Sequence, residues 1–150
     1  MEKEACIFCI STISKQSFGV ESERVIHEYE FWWLVLQLEE KRQSTKQSAG
    51  MLISKRHIEN VSLANEQEAT ELIAVIKPAA KQLCEATNTI YTNQETVGFN
   101  QGNEAGQTVM HAHVHILPVS ESDPNELKIR GGIGGAFEAL RRERLTQKSS

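Results

Sequence analysis

The sequence predicts a single α+β domain, in which a mainly antiparallel sheet packs with one long helix. The chain has 150 residues, which suits one domain with an ordinary hydrophobic core. One segment, residues 65–87, repeats its apolar side chains at helical spacing. Short stretches rich in β-branched and aromatic residues precede and follow that segment, and strands on both sides of one helix favour the α+β class.

The elements follow from local patterns taken in chain order. Strand segments alternate or cluster their apolar residues and are bounded by polar or glycine-containing stretches. Residues 38–48 are polar and charged, which indicates a loop, and residues 102–106 supply the turn between the last two strands. The predicted elements are a helical turn at 6–13, strands at 24–29, 31–37 and 50–54, the helix at 65–87, two strands within 96–118 and a short helix at 137–145.

Composition and charge exclude several classes of protein. The chain is 39% hydrophobic and 24% charged, with a formal net charge of −4, which is typical of a soluble globular protein. Mild acidity argues against a broad nucleic-acid surface, whereas a small nucleotide needs only a few donors. The longest apolar run, residues 31–36, is too short to span a membrane. No export signal is recognisable, and three cysteines do not suggest a disulfide framework, so we expect a reducing, cytoplasmic location.

Three histidines alternate with aliphatic residues near the end of the last predicted strand. His111, His113 and His115 share one face of a strand, because side chains two residues apart point the same way, about 6.5–7 Å apart. The residues between them are aliphatic and suit the core. The imidazole face has two chemical interpretations, metal ligation and nucleophilic catalysis. The alternative is a partly exposed strand that carries histidines without a chemical role.

Two of the three cysteines, Cys6 and Cys9, form a C-x-x-C pair. Such a pair supplies two thiolates, and a tetrahedral zinc site needs two further ligands. His57 and one histidine of the triplet could supply them. The competing interpretation is that the two cysteines are small buried apolar residues.

At this point the chain resembles the histidine-triad (HIT) family of nucleotide-binding hydrolases and transferases. The resemblance rests on the C-x-x-C pair, the Ser-Lys-Arg-His run at 54–57, the Asn-Gln-Gly run at 100–102 and, above all, residues 106–118. That last stretch contains H-x-H-x-H preceded by Gly-Gln-Thr. The resemblance implies a five-stranded antiparallel sheet packed with one long helix plus short helices, commonly a homodimer. The family core would span about 6–118, with a C-terminal tail over 119–150.

The resemblance also implies a mechanism. In the family the middle histidine attacks the α-phosphorus of a nucleotide and forms a transient nucleotidyl-histidine, a role that falls on His113. His115 would donate to phosphate oxygens, and backbone donors around Gly106 and Thr108 would stabilise the developing charge. Gln107 and Thr108 match positions near the scissile bond and leaving group, and Asn100 matches a phosphate-binding residue. The site predicted by resemblance therefore consists of His113, His115, Thr108, Gln107, Gly106 and Asn100.

In family members with the cysteine pair, four residues bind zinc. Carried over, the ligands are Cys6, Cys9, His57 and His111. All four coordination positions would be filled by protein, so the zinc would be structural. The third cysteine, Cys84, lies on the apolar side of the predicted helix and is expected in the core.

The chain departs from the family pattern in several places. Ala49 stands where the family commonly has an active-site histidine, and Gln37 stands where an acidic residue commonly holds the ribose. Both departures bear on nucleotide affinity and substrate choice. The Arg130-Gly131-Gly132 segment could form a flap over the substrate, although a flexible linker is the simpler interpretation. Trp32 and Trp33 are expected in the core and at dimer contacts, and His27 receives no role.

These observations favour an enzyme that hydrolyses or transfers at the α-phosphate of a small nucleotide, with no nucleic-acid or membrane partner. Candidate substrates are nucleoside phosphoramidates, aminoacyl-nucleotides and dinucleoside polyphosphates. A nucleotide sensor with low turnover is a second hypothesis, which the residues at 37 and 49 support. A metal-dependent H-x-H enzyme is a third. It is less favoured, because the first carboxylate after the triplet is Glu121.

Overall fold

A computed structural model describes residues 6, 8–9, 23–37, 48–123 and 133 of the chain. Five strands form one antiparallel sheet in the order β1-β2-β3-β5-β4, and one long helix, α1, packs against it. Short 3-10 helices lie at Val61–Leu63 and Asn103–Ala105. This architecture confirms the predicted α+β class. The elements are β1 Glu23–Glu28, β2 Trp32–Gln37, β3 Gly50–Ser54, α1 Glu66–Ala86, β4 Tyr91–Gly98 and β5 His113–Ser120.

The start of α1 is fixed by local hydrogen bonds. The Asn65 side chain accepts from the Glu68 backbone N–H, and the Glu68 carboxylate accepts from the Asn65 N–H, which is a capping box. Trp32 donates its indole N–H to the Glu68 carbonyl at 2.9 Å, so the first turn of the helix is also attached to β2. The helix predicted over 65–87 is therefore confirmed to within one residue at each end.

The two faces of the sheet have different partners. One face packs against α1, and its members on β5 and just before it are the aliphatic residues Ala112, Val114 and Ile116, all at most 1% exposed. The opposite face carries a second buried cluster. Its members are Cys6, Phe8, Cys9, Val35, Met51 and Ile53. The sheet thus separates a helix-packed core from the face on which the histidines lie.

Close approach of α1 to the sheet depends on Gly50, the first residue of β3. A Cβ atom placed on Gly50 would lie 2.4 Å from Cδ2 of Leu83 and 2.5 Å from the Val35 carbonyl oxygen. No side chain fits in that space, so the glycine sets the distance between helix and sheet.

The largest difference from the predicted elements is β4, which begins at Tyr91 and not near residue 96. Its pairing with β5 is irregular between Tyr91 and Glu95, and Asn93 has a positive φ of 67°. This polar, bulged half of the strand lacks the alternation that predicts strands. β5 continues to Ser120, two residues past the expected end of the core; the division into a single domain and a tail stays a prediction.

Several predicted segments lie outside the described residues. These are most of the turn at 6–13, the loop residues 38–47, the Arg130-Gly131-Gly132 segment and the helix at 137–145. Among the residues that the structure does describe, no helix is both long and apolar enough to cross a lipid bilayer.

Candidate functional site

The imidazoles of His113 and His115 lie on the face of the sheet away from α1. In the register of β3 with β5, His113 is opposite Ile53 and His115 is opposite Met51. Both of these β3 residues belong to the second buried cluster and not to the helix-packed core. His111 precedes the strand and is fully buried. The alternation in the sequence therefore places the three imidazoles as predicted, on the face opposite the aliphatic residues.

One hydrogen bond defines the chemical state of His113. Its Nδ1 lies 2.9 Å from the backbone carbonyl oxygen of His111. A carbonyl can only accept, so Nδ1 carries the proton and Nε2 keeps its lone pair. The ring is 8% exposed and stands nearly perpendicular to two neighbours, Phe8 at a centroid distance of 5.4 Å and His115 at 5.2 Å. This arrangement leaves Nε2 as a nucleophilic nitrogen on a held ring.

The surroundings keep the imidazoles uncharged at neutral pH. Burial lowers the pKa of His113, and its hydrogen bond to the His111 carbonyl opposes this effect only in part. Burial, followed by the repulsion of His113, lowers the pKa of His115 to about 4. Because only an unprotonated imidazole can attack, these shifts favour a nucleophile at His113 near pH 7.

Four side chains converge beside His111 to form the metal cluster, defined here as Cys6, Cys9, His57 and His111. The two Nδ1 atoms of the histidines are 3.1 Å apart, Cys9 Sγ is 3.3 Å from the His57 Nδ1, and Cys6 Sγ is 3.4 Å from the His111 Nδ1. All four candidate ligand atoms lie within 4.8 Å of one another. A tetrahedral zinc ion separates thiolate and imidazole ligands by about 3.3–3.8 Å, so these residue types and the shorter separations suit that ion.

The orientation of His111 supports the same interpretation. Its Nε2 lies 2.6 Å from the Ser54 carbonyl oxygen, which fixes the proton on Nε2 and directs the lone pair of Nδ1 toward the cysteines and His57. A ligand histidine is commonly held in this way through its other nitrogen. Desolvation, partly opposed by the bond to Ser54, lowers the pKa of His111 to about 4, which keeps the ring available as a neutral ligand.

The loop before β5 turns at two glycines that both have a positive φ. Gly102 has a φ of 94° and Gly106 a φ of 100°. The Gln107 side chain holds this loop: its Oε1 accepts from the Gly102 N–H at 2.8 Å, and its Nε2 donates to the carbonyls of Glu59 and Val109. Gln107 is only 3% exposed. Its amide group is therefore engaged with backbone, and its predicted contact with substrate stays a prediction.

The other predicted substrate-binding residues are more open. Thr108 is exposed and Asn100 is half-buried, and neither side chain forms a hydrogen bond with another described residue. Both remain predictions for substrate contact. The two departures from the family pattern are neighbours, because the Gln37 N–H donates to the Ala49 carbonyl at 3.0 Å. Ala49 is fully buried, and its methyl group cannot supply the imidazole that the family commonly has at this position.

Two residues outside the site, Cys84 and Trp32, are buried in the core as predicted. Cys84 lies on α1, and Trp32 belongs to the helix-packed core. Trp33 packs against the second cluster beneath Lys55. His27 contacts Tyr29, at a ring distance of 4.4 Å.

Sequence reasoning missed two parts of the site. Phe8 lies inside the C-x-x-C pair, but only the fold shows that its ring contacts His111 and His113. The Ser54 carbonyl that orients His111 is a backbone group and leaves no signal in the sequence.

Comparison with known proteins identifies the class to which this site belongs. The profile of the HIT domain matches residues 40–122, more than half of the chain, and the chain belongs to this family. A comparison with curated proteins gives no significant match. Among solved structures, a hypothetical histidine triad nucleotide-binding protein from Sulfolobus tokodaii strain 7 is similar at 29% identity and a TM-score of 0.59. That match covers 79% of this chain and 71% of the other.

Two further structures extend the comparison. A HIT family hydrolase from Clostridium thermocellum is similar at 28% identity and a TM-score of 0.56, over 81% of this chain and 96% of the other. A HIT family protein from Bacillus anthracis matches over 99% of this chain and 98% of the other, at 22% identity and a TM-score of 0.58. At that lower identity the likeness shows the fold alone.

Proposed function

We propose that this protein is a nucleotide-binding hydrolase that cleaves at the α-phosphate through a nucleotidyl intermediate on His113. The observation that carries the proposal is the bond from the His113 Nδ1–H to the His111 carbonyl, which leaves Nε2 free to attack. Membership of the HIT domain family and a solved relative named as a HIT family hydrolase support it. The proposed substrates are nucleoside phosphoramidates, aminoacyl-nucleotides and dinucleoside polyphosphates.

The proposed reaction has two displacements at phosphorus. His113 Nε2 attacks the α-phosphorus, a P–N bond forms, and the leaving group departs with its electron pair and takes a proton from water. The positive charge that develops on the imidazole is stabilised by the His111 carbonyl through the Nδ1–H. Water then attacks phosphorus and loses a proton to solvent, the P–N bond breaks, and neutral His113 is restored.

Donors around the phosphorus would stabilise the charge on its oxygens. His115 lies beside His113 with its pKa lowered to about 4, so it is neutral and presents one N–H at pH 7. We assign it to a non-bridging oxygen, with the Gly106 backbone, Thr108 and Asn100 as further donors and Gln107 near the leaving group. Gly106 ends the 3-10 turn before β5 with a φ of 100° and has no side chain, which would allow its backbone to approach a phosphate closely.

We propose that the metal cluster holds a structural zinc ion, which would place the chain in the C-x-x-C subtype of the family. When bound, the ion would cross-link the N-terminal turn to the segment before β5, with all four positions filled by protein. Cys6 and Cys9 would bind as thiolates, and His57 and His111 as neutral imidazoles. Because His111 also supplies the carbonyl that orients His113, the cluster would fix the start of the catalytic strand.

We further propose a cytoplasmic homodimer with a single HIT domain per chain. The finding that favours a second candidate function, a low-turnover sensor, is that Gln37 and the buried Ala49 lie side by side where the family commonly has a carboxylate and an imidazole. A metal-dependent H-x-H enzyme has less support. Among the described residues His113 and His115 belong to no group of three potential ligands.

Steady-state hydrolysis with a matched pair of variants tests the proposal. We expect wild type to hydrolyse adenosine 5′-phosphoramidate or diadenosine tetraphosphate, and His113→Asn to lose about 10³-fold or more of that activity. His27→Asn is the control, because His27 contacts Tyr29 on another part of the sheet and has no role in the site. Nucleotide binding by wild type without turnover across the panel would favour the sensor instead.

A further inference from the structure

Phe8 is one of the two residues between the paired cysteines, and its side chain lies beside the proposed nucleophile, His113. Its ring lies 5.4 Å from the His113 ring at an interplanar angle of 80°, and 6.1 Å from the His111 ring at 84°. The Phe8 ring is therefore nearly perpendicular to the imidazole of His111, a proposed metal ligand, and to that of His113, the proposed nucleophile. No role in the chemistry described above depends on this side chain.

The backbone around Phe8 is held in place on both sides. The Cys9 N–H donates to the Cys6 carbonyl at 3.2 Å, which closes a turn with Phe8 inside it. Both flanking side chains belong to the metal cluster. Phe8 also packs in the second buried cluster, beside Ile53, the residue opposite His113 on β3. The position of the ring is thus set by the turn, the cluster and the sheet together.

A neighbouring ring restricts the orientation of the His113 imidazole. Its hydrogen bond to the His111 carbonyl fixes Nδ1 but leaves the ring able to tilt about that bond. Phe8 and His115 lie nearly perpendicular to the ring, at 80° and 78°, and restrict the tilt. Attack requires Nε2 to be aligned with the phosphorus, and small misalignments in such geometries lower rates steeply.

We propose that Phe8 is a positioning residue that couples the cysteine turn to the orientation of His113. The inference rests on the function proposed above. Phe8 is only 3% exposed, so little of its ring surface is open to a ligand, and its effect passes through His113. The metal cluster then acts on the nucleophile by two routes, the His111 carbonyl and the Phe8 ring.

The test is Phe8→Leu, which keeps an apolar side chain but removes the aromatic ring. We expect kcat to fall about tenfold, the upper range for an edge-to-face aromatic contact, while KM stays within about twofold of wild type. The control is Val25→Ala. Val25 packs against the same cluster from β1, on the far side of the sheet order from β5, and we expect its kcat to be retained.

A spectroscopic measurement gives a second readout that needs no turnover. The chain has five histidines, so ¹⁵N-histidine labelling gives a short list of imidazole signals. In Phe8→Leu we expect the His113 Nδ1–H signal to broaden or exchange with water. In the same variant the signal of the His111 Nε2–H, which donates to the Ser54 carbonyl, should persist, and the zinc content should equal that of wild type.

Several results would overturn the inference: an unchanged kcat with an unchanged His113 signal, a change in KM alone, or loss of the His111 signal and zinc together with that of His113. The second would mean that the ring contacts ligand, and the third that only the cluster is affected. Absence of turnover in wild type would contradict the proposed function. The His113 signal would still decide whether Phe8 orders the ring.

Discussion

At the scale of single residues, the chemistry of the site comes from burial combined with one backbone hydrogen bond. Burial keeps the His113 imidazole neutral, and the His111 carbonyl selects the tautomer in which Nε2 is unprotonated. Neither effect needs a charged partner. The arrangement differs from one in which a carboxylate orients a histidine, and it makes the nucleophile depend on how accurately the preceding residue is held.

His115 should make stability depend on pH. Its folded pKa is lowered to about 4, whereas an unfolded histidine titrates near about 6.5. Between these values the unfolded state binds a proton that the folded state does not, so stability is fully present above about pH 7 and falls as the pH is lowered from about 6.5 toward 4.

Urea denaturation of wild type and His115→Gln at pH 7 and pH 5 measures this contribution. The wild-type free energy of unfolding should fall more steeply with acidification, by up to about 1.4 kcal/mol per pH unit. Comparison of the two proteins removes any acid effect on the metal cluster, which both contain. Parallel losses of stability in the two proteins would show that His115 is not desolvated.

At the scale of elements, the contact between α1 and the sheet depends on the absence of a side chain at one position. Gly50→Ala should destabilise the protein by about 1–3 kcal/mol, because its Cβ would overlap Leu83 and the Val35 carbonyl. The measurement is the melting temperature of each variant in thermal unfolding. Gly98→Ala is the matched control on β4, since a Cβ there meets nothing within 4 Å. Equal melting temperatures for the two variants would mean that α1 packs less closely than described.

The elements differ in how far the sequence could predict them. The helix was predictable, because its apolar spacing and its Asn65 cap are local signals. The face of β5 was predictable from strict alternation. The first half of β4 was not, because Asn93 adopts a positive φ and the polar residues around it show no alternation. Local patterns cannot report a bulge that is stabilised by a partner strand and by Lys77 of α1, which donates to the Asn93 carbonyl.

The same distinction applies to the site. The convergence of the two cysteines with two of the histidines could be predicted only from the resemblance to the family. The contacts of Phe8 and the bonds of Gln107 to Gly102, Glu59 and Val109 join segments distant in the chain, and side-chain identity alone does not show them. Gln107 illustrates the difficulty, because an amide in a motif can bind substrate or hold backbone.

At the scale of the whole molecule, the metal cluster joins three parts of the chain that are far apart in sequence. If it holds zinc, Cys9→Ser should remove most of the bound metal and lower the melting temperature, because binding energy of the folded site is lost on unfolding. Cys84→Ser is the control, since Cys84 is buried on α1 away from the cluster. We expect it to retain zinc whatever its melting temperature. Elemental analysis showing no zinc in wild type, with unchanged melting of Cys9→Ser, would contradict this assignment.

In the proposed mechanism, His113 becomes covalently bonded to the nucleotide during turnover. The most direct measurement of this bond is denaturant quenching of wild type within the first turnover of an adenylated substrate, followed by peptide mass spectrometry. We expect a mass increase of one adenylyl group on the peptide that contains His113, absent from the His113→Asn protein. Product release without any adduct on that peptide, or an adduct on another residue, would contradict it.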